Sequence, residues 1–388
     1  MKYLKIFAAV ILILLILLIS AKYYFNINPP FSFTGKKHTS GLPLDSLSLP
    51  PGFVIEIYAD SIENARSMCL SPFGTLFVGN RSGKNVYALK DTDGDQFVDK
   101  KYIILKEGNM PNGVAFKDGH LYVAEVNRIL KFENIESKLS SPGKPIVIYD
   151  KYPTEKHHGW KYIAFGPDNK LYVPVGAPCN ICESVDPVFN SITRMNEDGS
   201  GMEIVHSGIR NTVGFTWHPV SKQLWFTDNG RDLMGDEVPE CELNMAPKDS
   251  LHFGYPYCHQ GDIPDPEFGM KRICSDFVPP VAKLGPHTAP LGLKFYSHNN
   301  FPQEFRNSIF VARHGSWNRS KKSGYDIVQV VLNADGSINS VKPFITGWLN
   351  TMTDDVWGRP VDILVTGDGS LLISDDYANV IYRVYYKG

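Results

Sequence analysis

The sequence predicts an all-β fold, a six-bladed β-propeller that follows an N-terminal hydrophobic helix acting as an anchor or a signal. Three observations support this prediction: one strand-turn phrase recurs six times, its apolar residues alternate, and helical periodicity is almost absent after Ser20. The chain has 388 residues, of which 43% are hydrophobic and 21% charged, as is typical of a globular protein. We therefore expect one large β domain behind a short N-terminal segment.

The N-terminal segment begins with Lys2 and Lys5, which precede or border an unbroken apolar run over residues 6–19. That run is short for a spanning helix, which needs about 20 residues, and it fits the core of a signal peptide equally well. No good cleavage site follows, since Ile19 stands where a small residue is required. We favour an uncleaved anchor at residues 1–21, with a cleaved signal as the alternative.

Both alternatives export the rest of the chain, because positive residues before an apolar run stay in the cytoplasm. We expect the protein on the periplasmic side of the membrane, either anchored through this segment or secreted. Residues 22–48 are more polar and contain Pro29 and Pro30, which is typical of a linker. The propeller domain is then predicted over residues 49–388.

The repeated phrase consists of a turn with Pro, Asp or Gly that leads into a short strand of alternating apolar residues. Its six copies cover residues 71–80, 117–126, 166–176, 218–230, 305–315 and 367–376. Six such units in one domain indicate six blades, and a pair of β-sandwiches is the alternative. Loops of a propeller converge at one end of its central channel, so we expect the residues that follow the inner strands to surround a ligand.

Charge and cysteine content narrow the possible partners. The formal net charge of -2 gives no reason to expect nucleic acid. Cys179 and Cys182 have CxxC spacing, but Glu183 follows where a haem-attachment motif needs histidine, and no thioredoxin-like pattern surrounds them. We expect a structural disulfide there and a second one between Cys258 and Cys274.

Two loops contain residues suited to acid-base and electrostatic roles. His157 and His158 end a polar loop just before a strand, and a histidine there can accept a proton near neutral pH. The alternative is a hydrogen-bonded loop histidine. Arg210 and Asn211 also precede an apolar strand, where the arginine can stabilise charge on a carbonyl oxygen. The alternative is a salt bridge between blades.

Two further loops are rich in oxygen ligands, which calcium prefers. The loop of residues 228–237 includes Asp236 and Glu237 among permissive glycines. An earlier loop contains four carboxylates around a glycine turn, namely Asp91, Asp93, Asp95 and Asp99. Four mutually repelling carboxylates are costly without a cation, so we expect a structural calcium here. For both loops the alternative is a solvated turn.

The late loops concentrate His, Arg and Trp at strand edges, over residues 286–288, 313–319 and 357–362. Guanidinium groups and planar aromatic rings suit a planar ligand that carries several carboxylates.

Together these motifs resemble the glucose/sorbosone dehydrogenase family, the soluble sugar dehydrogenases that use pyrroloquinoline quinone (PQQ), and especially its sorbosone-dehydrogenase branch. The similar stretches are residues 158–182, 209–219, 226–244, 252–263, 310–325 and 357–384. The resemblance implies a six-bladed propeller with the quinone and calcium over the channel mouth. It also implies a histidine that acts as general base while hydride passes from the sugar carbon to the quinone.

Residue by residue, the resemblance implies the following roles. His158, eight positions before Gly166, is the base, and Arg210 assists at the quinone carbonyls. Calcium is bound by the backbone carbonyls of Gly230 and Arg231, with Asp236 and Glu237 nearby. The expected cofactor-binding residues are Arg210, Asn211, Thr288, Arg313, Arg319 and Arg359, and the expected substrate contacts are Asn112 and His157. One departure is Val361, which stands where the family has a second arginine.

We therefore predict a PQQ- and calcium-dependent oxidoreductase that oxidises an aldose or a sugar-derived aldehyde. Without a haem motif, its electrons must pass to an external acceptor, either a quinone or a cytochrome. Two alternatives remain open: a calcium-dependent propeller hydrolase such as a lactonase, and a propeller that binds partner proteins without catalysis.

Overall fold

The computed structural model describes residues 41–388, which form six sheets arranged as the blades of a propeller. All strand pairs in these sheets are antiparallel except that of Glu203–Ser207 with Leu251–His252. The N-terminal hydrophobic segment and most of the linker lie outside the described residues, so the anchor remains a prediction. Within residues 41–388, no helix is both long and apolar enough to cross a membrane. The predicted all-β, six-bladed fold is confirmed.

The blades follow one another along the chain, and each runs from an innermost first strand outward. Blade 1 has Ala65–Leu70, Leu76–Asn80, Val86–Lys90 and Lys100–Leu105; blade 2 has Gly113–Lys117, His120–Ala124, Ile129–Phe132 and Ile146–Tyr149. Blade 3 has Ala164–Phe165, Leu171–Val175, Ser191–Met195, Glu203–Ser207 and Leu251–His252; blade 4 has Phe215–Trp217, Leu224–Asp228, Glu240–Ala246 and Ala282–Pro286. Blade 5 has Pro290–Tyr296, Ser308–Arg313, Asp326–Leu332 and Ile338–Ile345; blade 6 has Pro360–Val365, Leu371–Asp375, Val380–Tyr386 and Phe53–Ala59.

Short hairpins and 3-10 turns lie outside the six blade sheets. Two small hairpins pair Cys258–His259 with Ile263–Pro264, and Leu349–Asn350 with Asp355–Val356. The described helices are all single 3-10 turns, at Leu44–Ser46, Ile135–Lys138, Cys274–Asp276 and Gln303–Phe305. The region from residue 41 to 388 therefore contains no α-helix, as the missing helical periodicity predicts.

The ring is closed by the earliest strand. Phe53–Ala59 pairs antiparallel with Val380–Tyr386, so that Phe53 lies opposite Tyr386. The N-terminal strand thus becomes the outermost strand of blade 6, and this pairing leaves no free edge between the two ends of the domain.

The repeated phrase forms the same part of every blade. Each copy supplies the turn after the first strand and then the second strand, and these second strands are buried along most or all of their length. Apolar clusters fill the spaces between neighbouring blades; one of them contains Phe310, Phe344, Trp348 and Tyr382. Alternating apolar residues therefore face two neighbouring blades at once, which stabilises the ring.

The antiparallel arrangement decides which loops meet at the functional end. The start of each first strand and the end of each second strand lie at the same end of the blade. Most residues that line the main cavity precede the first strands or follow the second strands, whereas Arg66, Cys241 and Leu291 lie within strands. Our expectation that residues following the innermost strands form the ligand shell was therefore wrong, because those residues turn away at the opposite end.

Candidate active site

A cavity of about 360 Å³ lies at this end of the propeller, and five of the six blades contribute to it. Six of the predicted site residues line it: the histidines His157 and His158, the arginines Arg210 and Arg359, and also Asn211 and Gly230. Six further lining residues come from loops that the sequence singled out for a cation or a planar ligand, namely Asn229, Asp232, His287, His314, Gly315 and Trp317. The sequence alone predicted no role for the others, Arg66, Arg81, Trp160, Val213, Cys241, Ala289 and Leu291.

His158 is the half-buried histidine of this cavity, and its ring is held in one orientation. Its Nδ1 lies 2.8 Å from the carbonyl oxygen of Ala177. A carbonyl only accepts, so Nδ1 carries the proton and Nε2 keeps its lone pair. Burial, and then the charges of Arg210 and His157, lower the pKa of His158 well below its ordinary value. The imidazole is therefore neutral near pH 7 and can accept a proton.

The local backbone supports this placement. His158 has a left-handed φ of 49°, a conformation that an L residue adopts only at some cost. Gly176 lies against it, since a Cβ built at Gly176 would come within 2.6 Å of the His158 Cβ. A glycine at position 176 is thus required for His158 to reach the cavity.

Arg210 is fixed by a dense set of acceptors. Its Nε donates to the Asn180 carbonyl at 2.9 Å and one terminal nitrogen donates to the Asn180 side-chain oxygen at 2.8 Å. The same nitrogen lies 3.1 Å from the Asp232 carboxylate. Asn180 belongs to the predicted Cys179–Cys182 disulfide loop, and the structure contains that disulfide. The bridge therefore has a structural role next to the site: it shapes the loop that orients Arg210.

Asp228 fixes the backbone of this segment. Its two carboxylate oxygens accept hydrogen bonds from the backbone N–H groups of Arg210 at 2.8 Å and Asn211 at 2.6 Å. Burial raises the pKa of Asp228 to about 6. Behind it, burial and then the charge of Asp228 raise the pKa of Glu242 to about 8. A pair of buried carboxylates thus supports this part of the cavity wall.

On the opposite side of the cavity, Asp376 forms a buried cluster that the sequence motifs did not predict. Its carboxylate lies 3.0 Å from Arg66, 3.6 Å from Arg81 and 2.8 Å from His314 Nε2. Burial alone would raise the pKa of Asp376, but His314, Arg66 and Arg81 together hold it below its ordinary value. Burial, and then Arg359, lower the pKa of His314 to about 3, so this imidazole is neutral.

Arg359 lies beside this cluster, as the resemblance implied. Its Nε donates to the His314 carbonyl at 3.0 Å and a terminal nitrogen donates to the Gly315 carbonyl at 2.8 Å. Its guanidinium carbon lies 5.2 Å from the ring centroid of Tyr325. No carboxylate lies within ion-pairing distance of Arg359 among the described residues, so its positive charge is available to a ligand.

Apolar side chains pack beside the cavity. Val213, Leu291 and Val361 are buried together, and Trp160 packs against them. Val361, where the family has a second arginine, thus contributes to an apolar surface. At the rim, Trp317 is 44% exposed.

Four predicted ligand-binding residues do not line the cavity, because each already has partners elsewhere. Arg313 donates from Nε and one terminal nitrogen to Asp326, its cross-strand neighbour, and from the other terminal nitrogen to the Leu284 carbonyl at 3.0 Å. Thr288 donates to the Leu284 carbonyl at 2.9 Å. The remaining two are Asn112, bonded to Arg66 and the Lys161 carbonyl, and Arg319, bonded to Glu237 and the Asp236 carbonyl. Asn112 instead positions Arg66.

Only one end of the first predicted calcium loop, residues 228–237, reaches the cavity. The Asn229 and Gly230 end lines the cavity, and the buried side-chain oxygens of Asn211 and Asn229 have no hydrogen-bond donor. The Arg231 side chain points elsewhere, with one terminal nitrogen 2.5 Å from Asp265. Asp236 and Glu237 lie outside the cavity lining, where Arg319 contacts both. Cation binding by the Gly230 end therefore fits the geometry better than binding by the two carboxylates.

The second predicted calcium loop lies on the surface of blade 1. Carboxylate oxygens of Asp91, Asp93 and Asp99 come within 4.8 Å of one another, whereas Asp95 is not part of this group. Hydrogen bonds from Thr92 lower the pKa of Asp99. A structural calcium in this loop remains a prediction. The second expected disulfide, Cys258–Cys274, is present.

Comparisons with known proteins agree with this geometry. A sequence family described as TrAA12-like matches residues 47–387. An uncharacterized protein of Borreliella burgdorferi is 33% identical over 356 residues, which cover 88% of this chain and 91% of that protein.

Two solved structures share the architecture. An iodide structure of the Trichoderma reesei Carbohydrate-Active Enzymes Family AA12 protein has a TM-score of 0.78 at 19% identity, covering 90% of this chain and 100% of that one. The holo PQQ domain of pyranose dehydrogenase from Coprinopsis cinerea has a TM-score of 0.75 at 18% identity, covering 87% and 97%. These two matches confirm the propeller fold.

Proposed function

Because this chain belongs to the TrAA12-like family, we propose that it is a PQQ-dependent dehydrogenase that oxidises an aldose or a sugar-derived aldehyde. The observation that carries the proposal is the meeting of one neutral, oriented imidazole with guanidinium groups in a single cavity. A neutral base suits removal of a hydroxyl proton, and guanidinium groups suit an anionic, planar cofactor.

The residues of the cavity fit such a cofactor. PQQ carries several carboxylates, and Arg210 and Arg359 line the cavity from two different blades. The donor-free side-chain oxygens of Asn211 and Asn229 lie at the same wall, and oxygen atoms are the ligands that calcium prefers. We propose that Arg210, Arg359 and Asn211 hold the quinone, and that the Gly230 end of its loop holds calcium. When bound, the quinone supplies the hydride acceptor, and calcium supplies Lewis-acid polarisation of its carbonyl.

His158 acts as the general base in this proposal. Its Nε2 accepts the proton of the substrate hydroxyl group, and the Ala177 carbonyl stabilises the imidazolium through Nδ1 as the charge forms. The low pKa of His158 keeps the base unprotonated near neutral pH. Arg210 lines the same cavity, where its guanidinium would favour negative charge on a bound quinone.

The finer expectations from the sequence belong to the same proposal. We propose that the chain is exported and attached to the membrane through residues 1–21, with its propeller on the periplasmic side. Electrons pass to an external acceptor, since the sequence contains no haem-attachment motif.

The lactonase alternative has less support. A hydrolase of that type would place side-chain carboxylates and asparagines from several blades around one deep calcium. Within residues 41–388, the one group of three carboxylate, histidine or cysteine ligand atoms is on the surface loop of Asp91, so the cavity has no such carboxylate cluster. The guanidinium-rich lining instead suits an anionic ligand.

Reconstitution of the purified chain with PQQ and calcium tests the proposal. We expect reduction of an artificial dye with one or more members of an aldose and aldehyde panel, and none when the quinone is omitted. Hydrolysis of lactones without quinone would instead support the hydrolase, and the absence of both activities together with no PQQ binding would refute catalysis of either kind.

A further inference from the structure

Two arginines on the blade 1 side of the cavity have no role in the proposed chemistry. Arg66 lies in the first strand of blade 1, and Arg81 follows its second strand. Their guanidinium carbons lie 5.8 and 5.7 Å from the ring centroid of Trp160. We call these two residues the blade 1 arginine pair. The shared indole holds both groups against the same wall of the cavity.

The charge of this pair is only partly compensated. Asp376 is the one carboxylate within ion-pairing distance of either arginine among the described residues, at 3.0 Å from Arg66 and 3.6 Å from Arg81. The same carboxylate also bonds to His314. One carboxylate therefore faces two guanidinium groups, and an excess positive charge remains on the cavity wall.

Arg81 has the donors that a ligand would need. Each guanidinium offers five N–H donors in a planar fork. Within the described part of the chain, Arg81 makes a single ion pair at 3.6 Å, beyond hydrogen-bonding distance, and its side chain is 38% exposed. Arg66 is 4% exposed and donates to Asn112 and Asp376, which fixes its position behind Arg81. The rim arginine thus has free donors, and the buried one supplies a fixed charge.

We propose that the blade 1 arginine pair is a carboxylate-binding subsite of the active site. The inference rests on the proposed function, since it assigns the group that this wall binds. The carboxylate belongs either to an acidic sugar, such as a uronate, or to the quinone itself. The rim position of Arg81 favours a group that enters from the mouth of the cavity, as a substrate does.

Binding to the full-length apoprotein tests the subsite without turnover. Isothermal titration calorimetry would measure D-glucuronate, D-glucose as its neutral match, and PQQ separately on the wild-type protein and on Arg81→Gln. Charged hydrogen bonds of this kind change affinity by about tenfold to a hundredfold. Arg81→Lys keeps the charge but loses the fork, so we expect it to recover part of any lost affinity.

A matched control exists outside the cavity. Arg272 has a 40% exposed side chain, lies 3.5 Å from Asp276, and its guanidinium carbon is 4.3 Å from the centroid of Phe277. It therefore shares with Arg81 a long ion pair, an aromatic contact and partial exposure. Arg272→Gln removes the same charge, and we expect it to leave all three affinities unchanged.

The outcomes are distinct. A selective loss of glucuronate affinity in Arg81→Gln, with glucose and PQQ binding unchanged, assigns the carboxylate to the substrate. A loss of PQQ affinity with no selective effect on glucuronate assigns it to the quinone. If Arg81→Gln matches Arg272→Gln for all three ligands, the subsite is refuted. Failure of the proposed function would show separately, as no PQQ binding to the wild-type protein.

Discussion

Replacing Asp376 with asparagine tests how the cavity wall is stabilised. The Asp376 side chain is fully buried, and that of Arg66, 3.0 Å away, is 4% exposed. Asparagine keeps the shape and one acceptor oxygen but removes the negative charge, which leaves the Arg66 guanidinium as an uncompensated buried cation. Breaking a buried pair in this way costs about 3–5 kcal/mol of unfolding free energy.

Urea unfolding followed by tryptophan fluorescence measures this loss. For an m value of about 3 kcal/mol per molar urea, the expected cost lowers the unfolding midpoint by about 1–1.7 M. The double variant Arg66→Met, Asp376→Leu removes both charges. Replacing a buried ion pair with apolar residues is often neutral or stabilising, so we expect its midpoint to lie above that of Asp376→Asn.

Two results would contradict this reasoning. A midpoint for Asp376→Asn that matches the wild-type value would mean that water or a rearranged side chain compensates Arg66. A double variant that is less stable than the single one would mean that packing, and not the unpaired charge, decides the loss.

Three other predictions concern the base, the buried histidines and a disulfide. His158→Gln should lower kcat by about 100-fold to 10,000-fold while PQQ binding by calorimetry persists; activity within tenfold of wild type would exclude a base role. Burial lowers the pKa of His206 to about 4 and that of His314 to about 3. Their neutral forms therefore stabilise the folded state above the unfolded pKa of about 6.5, and this stability should fall as the pH drops from there toward 3; urea midpoints that stay constant between pH 7 and 4 would contradict it. The Cys258–Cys274 bridge closes a loop with a sequence separation of 16, so replacing both cysteines with serine should cost about 3 kcal/mol, measured by urea unfolding against the protein with this bridge intact.

The fold could be predicted because its determinant is local. Each blade repeats a turn followed by a strand of alternating apolar residues, and such alternation is visible in ten residues of sequence. The site was predictable where a loop motif also faces the axis, as with His158, Arg210 and Arg359. For these three residues, both the residue type and its position in the blade indicate a place in the cavity.

The remaining site residues depend on partners that lie far away in the chain. Arg313 looks like a ligand-binding arginine in the sequence, but Asp326 lies directly opposite it on the next strand and occupies its fork. Arg66 was missed because it lies inside a short, buried strand, and its partner Asp376 is 310 positions later. The sequence did contain one indication of this pair: an arginine in a strand of mostly apolar residues, and two consecutive aspartates, Asp375 and Asp376, at the end of another strand.

The candidate site forms only when the last blade closes the ring. Arg66 belongs to the first blade, whereas Asp376 and Arg359 belong to the last, whose outer strand is the earliest one in the chain. A ribosome must synthesise the last blade, which begins at Pro360, before these groups can meet. Partly synthesised or C-terminally truncated chains therefore lack one wall of the cavity. We expect only the complete chain to bind the ligand.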